Sequence, residues 1–373
     1  MLNEANKQLI FVAYDGIGNS VFYSQVIAPL LDLINQSANL EVTIVSFESK
    51  KVNYHNLADI IPAHEKLHLV ICRKIPFIGK ISLLFATVQL FCVLRRRQPC
   101  HEIIARGPLA GYIVYKALSW WSTLDPARMR ADAEKTFPSV MVQARGLCAE
   151  EYRYTHKNEK SNFLVAWWRH HMFKIFWNIE FEVYRSKRKT DYPNDVTIEC
   201  VSSALKDHLE HIFRADPARI ILAIKDLPKA LEKESIQQFR QKVREKLKIS
   251  ADAPVYCYSG SWRPWQCADK TVEYFVQEFA KNPQAFFLVL SQDKAQFEQE
   301  LKKYNVPTTA YAIIKVQPTE LQEYLAAADF GMLLREPDII NWVSRPTKML
   351  EYQAAGLEII HNNTVAWLTR ENQ

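Results

Sequence analysis

Short apolar runs alternate with helix-period segments along the whole chain. LIFVAY (9–14) reads as a buried strand running into DGIGNS (15–20), and VFYSQVIAPLLDLI (21–34) as the helix after it. EVTIVSF (41–47) and LHLVIC (67–72) read as further strands, residues 79–97 as a helix and EIIA (102–105) as a strand. Residues 109–121 and 126–135 then read as helices and SVMVQA (139–144) as a strand. Residues 150–195 are helical, aromatic and basic, and TIECVSSAL (197–205) returns to strand and helix start. Residues 206–230 read as the segment between two domains. A second series follows. In 233–249, Ile236, Phe239, Val243 and Leu247 fall at helical spacing. Strands VYCY (255–258), FFLVL (286–290), AIIKV (312–316) and GMLL (331–334) alternate with helices 268–281, 294–303 and 319–328. Strands separated by helices predict parallel sheets with right-handed crossovers. The expected fold is therefore α/β: two Rossmann-like, doubly wound domains, 1–205 and 206–373, with their binding rims facing a shared cleft. Ligands of such sheets bind beyond the carboxyl ends of the strands.

The most patterned stretch is SRPTKMLEYQAAGLEII (344–360), which reads as loop, helix, glycine stop and strand. Pro346 suits a first helical turn, where its missing N–H costs nothing, and Gly356 suits the C-terminal cap. Thr347, Lys348 and Glu351 then lie on or beside that first turn. Helix amides and a lysine suit phosphate, and a carboxylate accepts hydrogen bonds from ribose hydroxyls, so the set suits a nucleotide sugar.

This segment resembles the nucleotide-binding helix of GT-B glycosyltransferases, above all family 4 of bacterial polysaccharide-assembly type, where P-T-K-x-x-E-Y-x-A-x-G recurs. Other pieces are similar in order and spacing. Tyr14 to Gly18 with Ser24-Gln25 match a Y-D-G-I-G pattern and its following helix, and Arg106-Gly107 match an R-G ahead of a helix. Arg145-Gly146 with Glu150-Glu151 match a third segment, and Ser259-Gly260-Ser261 an S-G-S loop. The resemblance implies a cytoplasmic, retaining, metal-independent hexosyltransferase without cofactor. It would move sugar from a nucleotide-sugar donor to a glycan or lipid-linked acceptor, with an inner-leaflet membrane surface among its candidate partners.

On that reading Glu351, Arg263 and Lys348 are the catalytic candidates. Arg263, with Lys270, would hold the diphosphate, and a fixed cation of this kind can stand in for a metal. Gly16, Gly18, Ser259, Gly260, Ser261, Asn341, Thr347, Lys348 and Glu351 complete the donor side. Asn19, Gln25, Arg106, Arg145 and Glu151 form the acceptor side. A salt bridge to Glu150 or Glu151 is the structural alternative for Arg145. The chain departs from the family pattern at Val343, eight before Glu351, where a glutamate is usual, and at Gln143, where an aspartate is usual. Only twelve residues follow strand LEIIH (357–361), so the C-terminal domain reads as shortened. These departures support an alternative: a degenerate, non-catalytic nucleotide-sugar-binding or assembly protein.

Composition changes the picture at few points. The chain has 373 residues, enough for two domains, and its nine glycines exclude a low-complexity protein. The net charge is +6, concentrated in Arg95-Arg96-Arg97 and in 185–189. Such clusters meet phosphates of lipid, nucleotide or nucleic acid, or are simply solvated faces. The opening residues are too polar for a signal peptide, and seven cysteines without a Cys-x-x-Cys pair read as buried free thiols of a reducing compartment. The apolar run 81–94 is too short to cross a bilayer and reads as a buried or a membrane-interface helix. Residues 163–189 mix tryptophan, phenylalanine and cations, which fits a core helix, an interfacial helix or base stacking; nucleic acid is the disfavoured partner.

Overall fold

The computed structural model describes residues 7–18, 22–49, 61–97, 100–124, 138–185, 196–223, 228–317 and 319–370. Asn19 and the expected helix 126–135 lie outside them. The chain divides into two compact units, Met1–Asp226 and Leu227–Gln373.

The first unit is built on a seven-stranded parallel sheet ordered β3-β2-β1-β4-β5-β6-β7. Its strands are β1 (Lys7–Ala13), β2 (Leu40–Glu48), β3 (Leu67–Arg73), β4 (Glu102–Arg106), β5 (Ser139–Ala144), β6 (Val196–Cys200) and β7 (Ile220–Leu222). Between them run α1 (Ala28–Gln36), entered by a π-helical turn at Tyr23–Ile27, then α2 (Lys80–Arg96), α3 (Gly107–Leu124), α4 (Cys148–Thr155), α5 (Phe163–Tyr184) and α6 (Ser203–Phe213). Residues Leu9 to Ala13 are all buried, as expected of a strand covered on both faces. The order reverses between β1 and β4, and there Arg106 at the end of β4 meets Asp15 just after β1.

The unit boundary falls after Asp226, whereas the sequence reading placed it at 205/206. The reason is β7: Ile220, Ile221 and Leu222 pair in register with Ile198, Glu199 and Cys200 and so extend the first sheet. The segment 206–230, read as an interdomain connection, therefore contains most of α6 and a strand. The aromatic stretch also splits, because Asn162 accepts the Val165 N–H at 2.9 Å and caps a separate helix α5.

The second unit carries a five-stranded parallel sheet ordered β10-β9-β8-β11-β12. Its strands are β8 (Val255–Ser259), β9 (Phe286–Leu290), β10 (Tyr311–Ile314), β11 (Phe330–Leu333) and β12 (Glu358–His361). Its helices are α7 (Lys233–Leu247), α8 (Ala268–Lys281), α9 (Lys294–Lys303), α10 (Leu321–Leu325), α11 (Ile339–Trp342), α12 (Thr347–Ala354) and α13 (Ala366–Arg370). Helix α10 is shorter than the 319–328 expected, and α11, whose Asp338 accepts the Ile340 N–H at 3.2 Å, was not anticipated. Here the order reverses between β8 and β11.

An ion network holds the amino ends of those two strands. Asp329 accepts the Val255 N–H at 2.8 Å and an Arg244 N–H at 2.9 Å, and also pairs with Arg240. Arg244 is buried and donates further to the carbonyls of Ala327, Ser250, Ala251 and Ala253. At the carboxyl ends, the Ser259 N–H donates to the Tyr352 hydroxyl at 2.8 Å. A Cβ on Gly331 would lie 2.4 Å from the Tyr352 ring, so only glycine lets α12 pack this closely on β11. Of the cysteines, Cys72, Cys100, Cys200, Cys257 and Cys267 are buried free thiols as expected; Cys148 is half-buried and Cys92 exposed. No helix among the described residues is long and apolar enough to cross a membrane.

Candidate functional site

In the second unit the reversal point gathers a polar cluster. Pro346 stands at the N-cap of α12, one position before the first turn, with φ −63°. At the other end Gly356 takes φ +76°, its N–H bonding Gln353 O and the Leu357 N–H bonding Tyr352 O. That is the paired C-terminal closure that a left-handed glycine allows. Helix α12 is thereby fixed with its positive dipole end beside the loop after β8. Lys348, in its first turn, is buried and donates to Gln266 Oε1 at 2.9 Å. Its ammonium also lies 4.1 Å from the centre of the Tyr258 ring. The Tyr258 hydroxyl sits 2.8 Å from the Ser261 carbonyl and 2.9 Å from Gln266 Oε1. Gly260 takes φ +143°, and a Cβ there would lie 2.9 Å from Lys348 Nζ. The Ser259-Gly260-Ser261 loop thus wraps the lysine only because its centre is glycine.

Two more charges complete the cluster. Arg335, buried just after β11, donates to Asn341 Oδ1 at 3.4 Å, and Asn341 Nδ2 donates to the Glu336 carbonyl at 2.8 Å. Asn341 is buried and orients the arginine. Burial holds the Lys348 ammonium well below the usual lysine range, Arg335 adds to this, and Glu351 opposes it. Burial pushes the Glu351 carboxyl up to about 7, against the pull of Lys348. Two cations and a carboxylate so placed form a desolvated cluster of net positive charge, suited to an anion that also carries hydroxyls.

Of the donor-side residues expected from sequence, the structure brings Ser259, Gly260, Ser261, Lys348 and Glu351 together, with Thr347 at the start of the same helix and Asn341 behind Arg335. Arg263 and Lys270 are exposed, outside the buried cluster. Arg335 and Gln266 were missed. Arg335 had a readable signal, since it follows an apolar strand at its carboxyl end; Gln266 had none. Gly16 and Gly18 belong to the first unit, in the loop after β1.

That loop and the end of β4 form the polar corner of the first sheet. Arg106 is buried; its Nε lies 3.0 Å from Asp15 Oδ2, and its Nη2 donates to Gln25 Oε1 at 2.7 Å. Gly16 has φ +80°, and a Cβ there would meet the Glu48 carboxylate at 2.8 Å. Glu48 accepts the Ile17 N–H at 2.8 Å and fixes the loop. Lys74 donates to the Tyr14 carbonyl at 2.7 Å, and burial lowers its pKa while Asp15 and Glu48 oppose. Neither Glu48 nor Lys74 was singled out from sequence. Among the described residues, a Cβ on Gly18 would meet nothing within 4 Å.

One strand over, Arg145 follows β5 and Glu151 lies in the first turn of α4. A Cβ on Gly146 would fall 2.5 Å from Glu151 Oε1. Glu151 keeps open surface, yet the protein packed around its carboxyl pushes the pKa up to about 7. Glu180 of α5 accepts the Cys148 and Ala149 N–H groups at 2.6 and 3.2 Å, and burial outweighs those bonds to raise it to about 8. Gln143, where the family pattern has aspartate, donates to Glu199 Oε2 at 2.8 Å, and both side chains are buried.

No protein-family model matches the chain, and no curated protein sequence matches it. Solved structures do match over nearly its full length. WaaG, a glycosyltransferase involved in lipopolysaccharide biosynthesis, is 12% identical, with 97% of this chain and 82% of that one covered and a TM-score of 0.62. A glycosyltransferase from Rickettsia africae ESF-5 is 11% identical, with 99% and 82% covered and a TM-score of 0.60. An α,α-trehalose-phosphate synthase (UDP-forming) from Burkholderia vietnamiensis is 9% identical, with 97% and 86% covered and a TM-score of 0.59. The fold shared with these structures, two parallel-sheet α/β units in one chain, is GT-B.

Proposed function

We propose that this chain is a glycosyltransferase that binds a nucleotide sugar at the Lys348 corner and passes the sugar to a glycan or lipid-linked acceptor. The observation that carries the reading is the buried lysine itself, wrapped by Ser259-Gly260-Ser261 and joined by Arg335 and Glu351. A desolvated cation is costly to keep and is repaid when an anion arrives. That three structural neighbours bear the names of sugar-transferring enzymes agrees with it.

On this reading the diphosphate lies at the amino end of α12, and Lys348 and Arg335 balance the charge that grows as the sugar–phosphate bond breaks. These fixed cations do the work of a divalent ion, so transfer proceeds without one. Glu351 accepts hydrogen bonds from ribose hydroxyls. Transfer with retention follows when the departing phosphate oxygen takes the acceptor's proton: the O–H bond breaks, the new C–O bond forms on the same face, and the nucleoside diphosphate leaves. Arg106, with Asp15 and Gln25, is the acceptor-side candidate, and the reaction runs on the cytoplasmic side. A second reading, a binder that does not turn over, is favoured by the buried Gln143–Glu199 pair and by Val343, fully buried where the family pattern places an acid.

Glu351 provides the test. Its folded pKa, near 7, stands above its ordinary 4.5, so the folded protein holds an extra proton between those values. The stability this proton contributes is present below about pH 4.5 and is lost as pH rises through 7. Ribose hydroxyls bond the ionised form, so donor binding at pH 7 should expel about half a proton. Calorimetric titration with a panel of nucleoside diphosphates and nucleotide sugars, repeated in two buffers of different ionisation enthalpy, reads that release. One nucleotide should bind with a proton release that Glu351→Gln removes. Binding with identical proton exchange in both proteins would put the ribose elsewhere.

A further inference from the structure

Helix α2 is apolar on both faces, yet only one is buried. Leu83, Ala86, Leu90 and Leu94 are buried, while Ile81, Leu84, Phe85 and Val88, at i, i+3, i+4 and i+7, form an exposed ridge continued by Ile78. The amino end of α5 repeats the pattern: Phe163, Leu164, Val165, Trp167 and Trp168 are all exposed, Phe163 to 81%. The two helices adjoin where α2 begins, since the Phe77 ring stacks on Phe176 in the middle of α5 at 4.8 Å and Ile175 lies 3.1 Å from where a Cβ on Gly79 would be. These ten side chains are most of the large apolar residues the described surface exposes, and exposure gathered on two adjoining helices marks an interaction face.

The charges around the face choose the partner. Residues 73–97 contain Arg73, Lys74, Lys80 and the Arg95-Arg96-Arg97 triplet with no acid, and 157–174 contain Lys157, Lys160, Arg169 and Lys174 against Glu159 alone. Arg169 is paired with Glu159, while Lys80, Arg95, Arg96, Arg97, Lys160 and Lys174 are exposed. Two copies of such a face would repel. Exposed tryptophans, an aliphatic ridge and surrounding cations suit the boundary of an anionic bilayer, where rings sit at headgroup depth and cations meet lipid phosphate.

We propose that the first unit docks on an anionic membrane surface through the ridge of α2 and the amino end of α5. This deepens the reading above by naming the surface on which a lipid-linked acceptor is met, and it rests on that reading for its purpose but not for its test. The full chain is sedimented with vesicles of phosphatidylcholine alone or with phosphatidylglycerol added. Binding to the anionic vesicles should be at least about tenfold tighter and should weaken in high salt. Ile81→Ser with Phe85→Ser, and Trp167→Ser with Trp168→Ser, should each lower it at least about tenfold. Ile212→Ser, at an exposed apolar site on α6, should leave it unchanged. Far-ultraviolet circular dichroism and nucleotide titration check that each variant is folded, and both should match wild type, since the changed residues lie in the other unit from Lys348. Wild-type protein left in the supernatant with anionic vesicles at low salt overturns the proposal. So do patch variants that sediment undiminished, or variants that instead dissolve a concentration-dependent dimer seen by ultracentrifugation. A failure here with nucleotide binding intact leaves the glycosyltransferase reading standing.

Discussion

Replacing Lys348 by methionine should weaken nucleoside diphosphate binding by about 100-fold or more while leaving the empty protein at least as stable as wild type. The two effects have one cause. Lys348 is buried, donates to a single neutral amide, and has Arg335 rather than a close carboxylate as its strongest electrostatic neighbour. Its folded pKa is depressed, so the protein is penalised at every pH below that pKa, and the penalty lifts only as pH rises toward the ordinary lysine value. Methionine fills similar space without charge and removes the penalty. A charge-assisted bond to phosphate, made in a desolvated site, is worth about 2–4 kcal/mol, which is the affinity the variant loses. Thermal unfolding without ligand and calorimetry with it read the two sides. A large loss of stability with affinity unchanged would make Lys348 a structural residue.

Asp329→Ala should destabilise the second unit by about 3 kcal/mol or more, without touching the Lys348 corner directly. Asp329 ties α7 to the amino ends of β8 and β11 through Arg244, Arg240 and the Val255 N–H. Removing it strips the buried Arg244 guanidinium of its counter-ion and leaves a strand-end amide without its acceptor. Breaking such a pair from one side costs about 3–5 kcal/mol, because the remaining charge stays desolvated. Four backbone carbonyls still hold Arg244, which places the expectation at the low end of that range. Urea unfolding measures it, and a change below about 1 kcal/mol would mean that those carbonyls and penetrating water solvate the guanidinium adequately.

Much of the fold is local enough to read. Helix 268–281, strand 286–290 and helix 294–303 begin and end where their apolar spacing says, because each buries one continuous face or run. The unit boundary was not readable. Ile220–Leu222 is three residues long with two of them exposed, so no alternation marks it as a strand; only its pairing with β6 assigns it to the first sheet. The site divides the same way. Thr347, Lys348 and Glu351 belong to one short helix, with Gly356 closing it, and can be seen together in sequence. Arg335 and Gln266 reach Lys348 only because β8 and β11 are neighbours at the point of reversal, which no local pattern encodes. Exposure was equally hidden: Arg263 and Lys270 read as well as Arg335 does for holding a diphosphate, but only Arg335 is buried beside the lysine.

The measurement closest to the central claim is turnover. Wild-type protein and Lys348→Met are incubated in EDTA with the nucleotide sugar that binds in calorimetry and with candidate glycan and lipid-linked acceptors, and released nucleoside diphosphate is followed. Wild type should release nucleoside diphosphate only when acceptor is present, and the variant should lose about 100-fold or more of that rate. Tight binding with no release from any donor–acceptor pair would contradict it and leave a protein that holds a nucleotide sugar without transferring it.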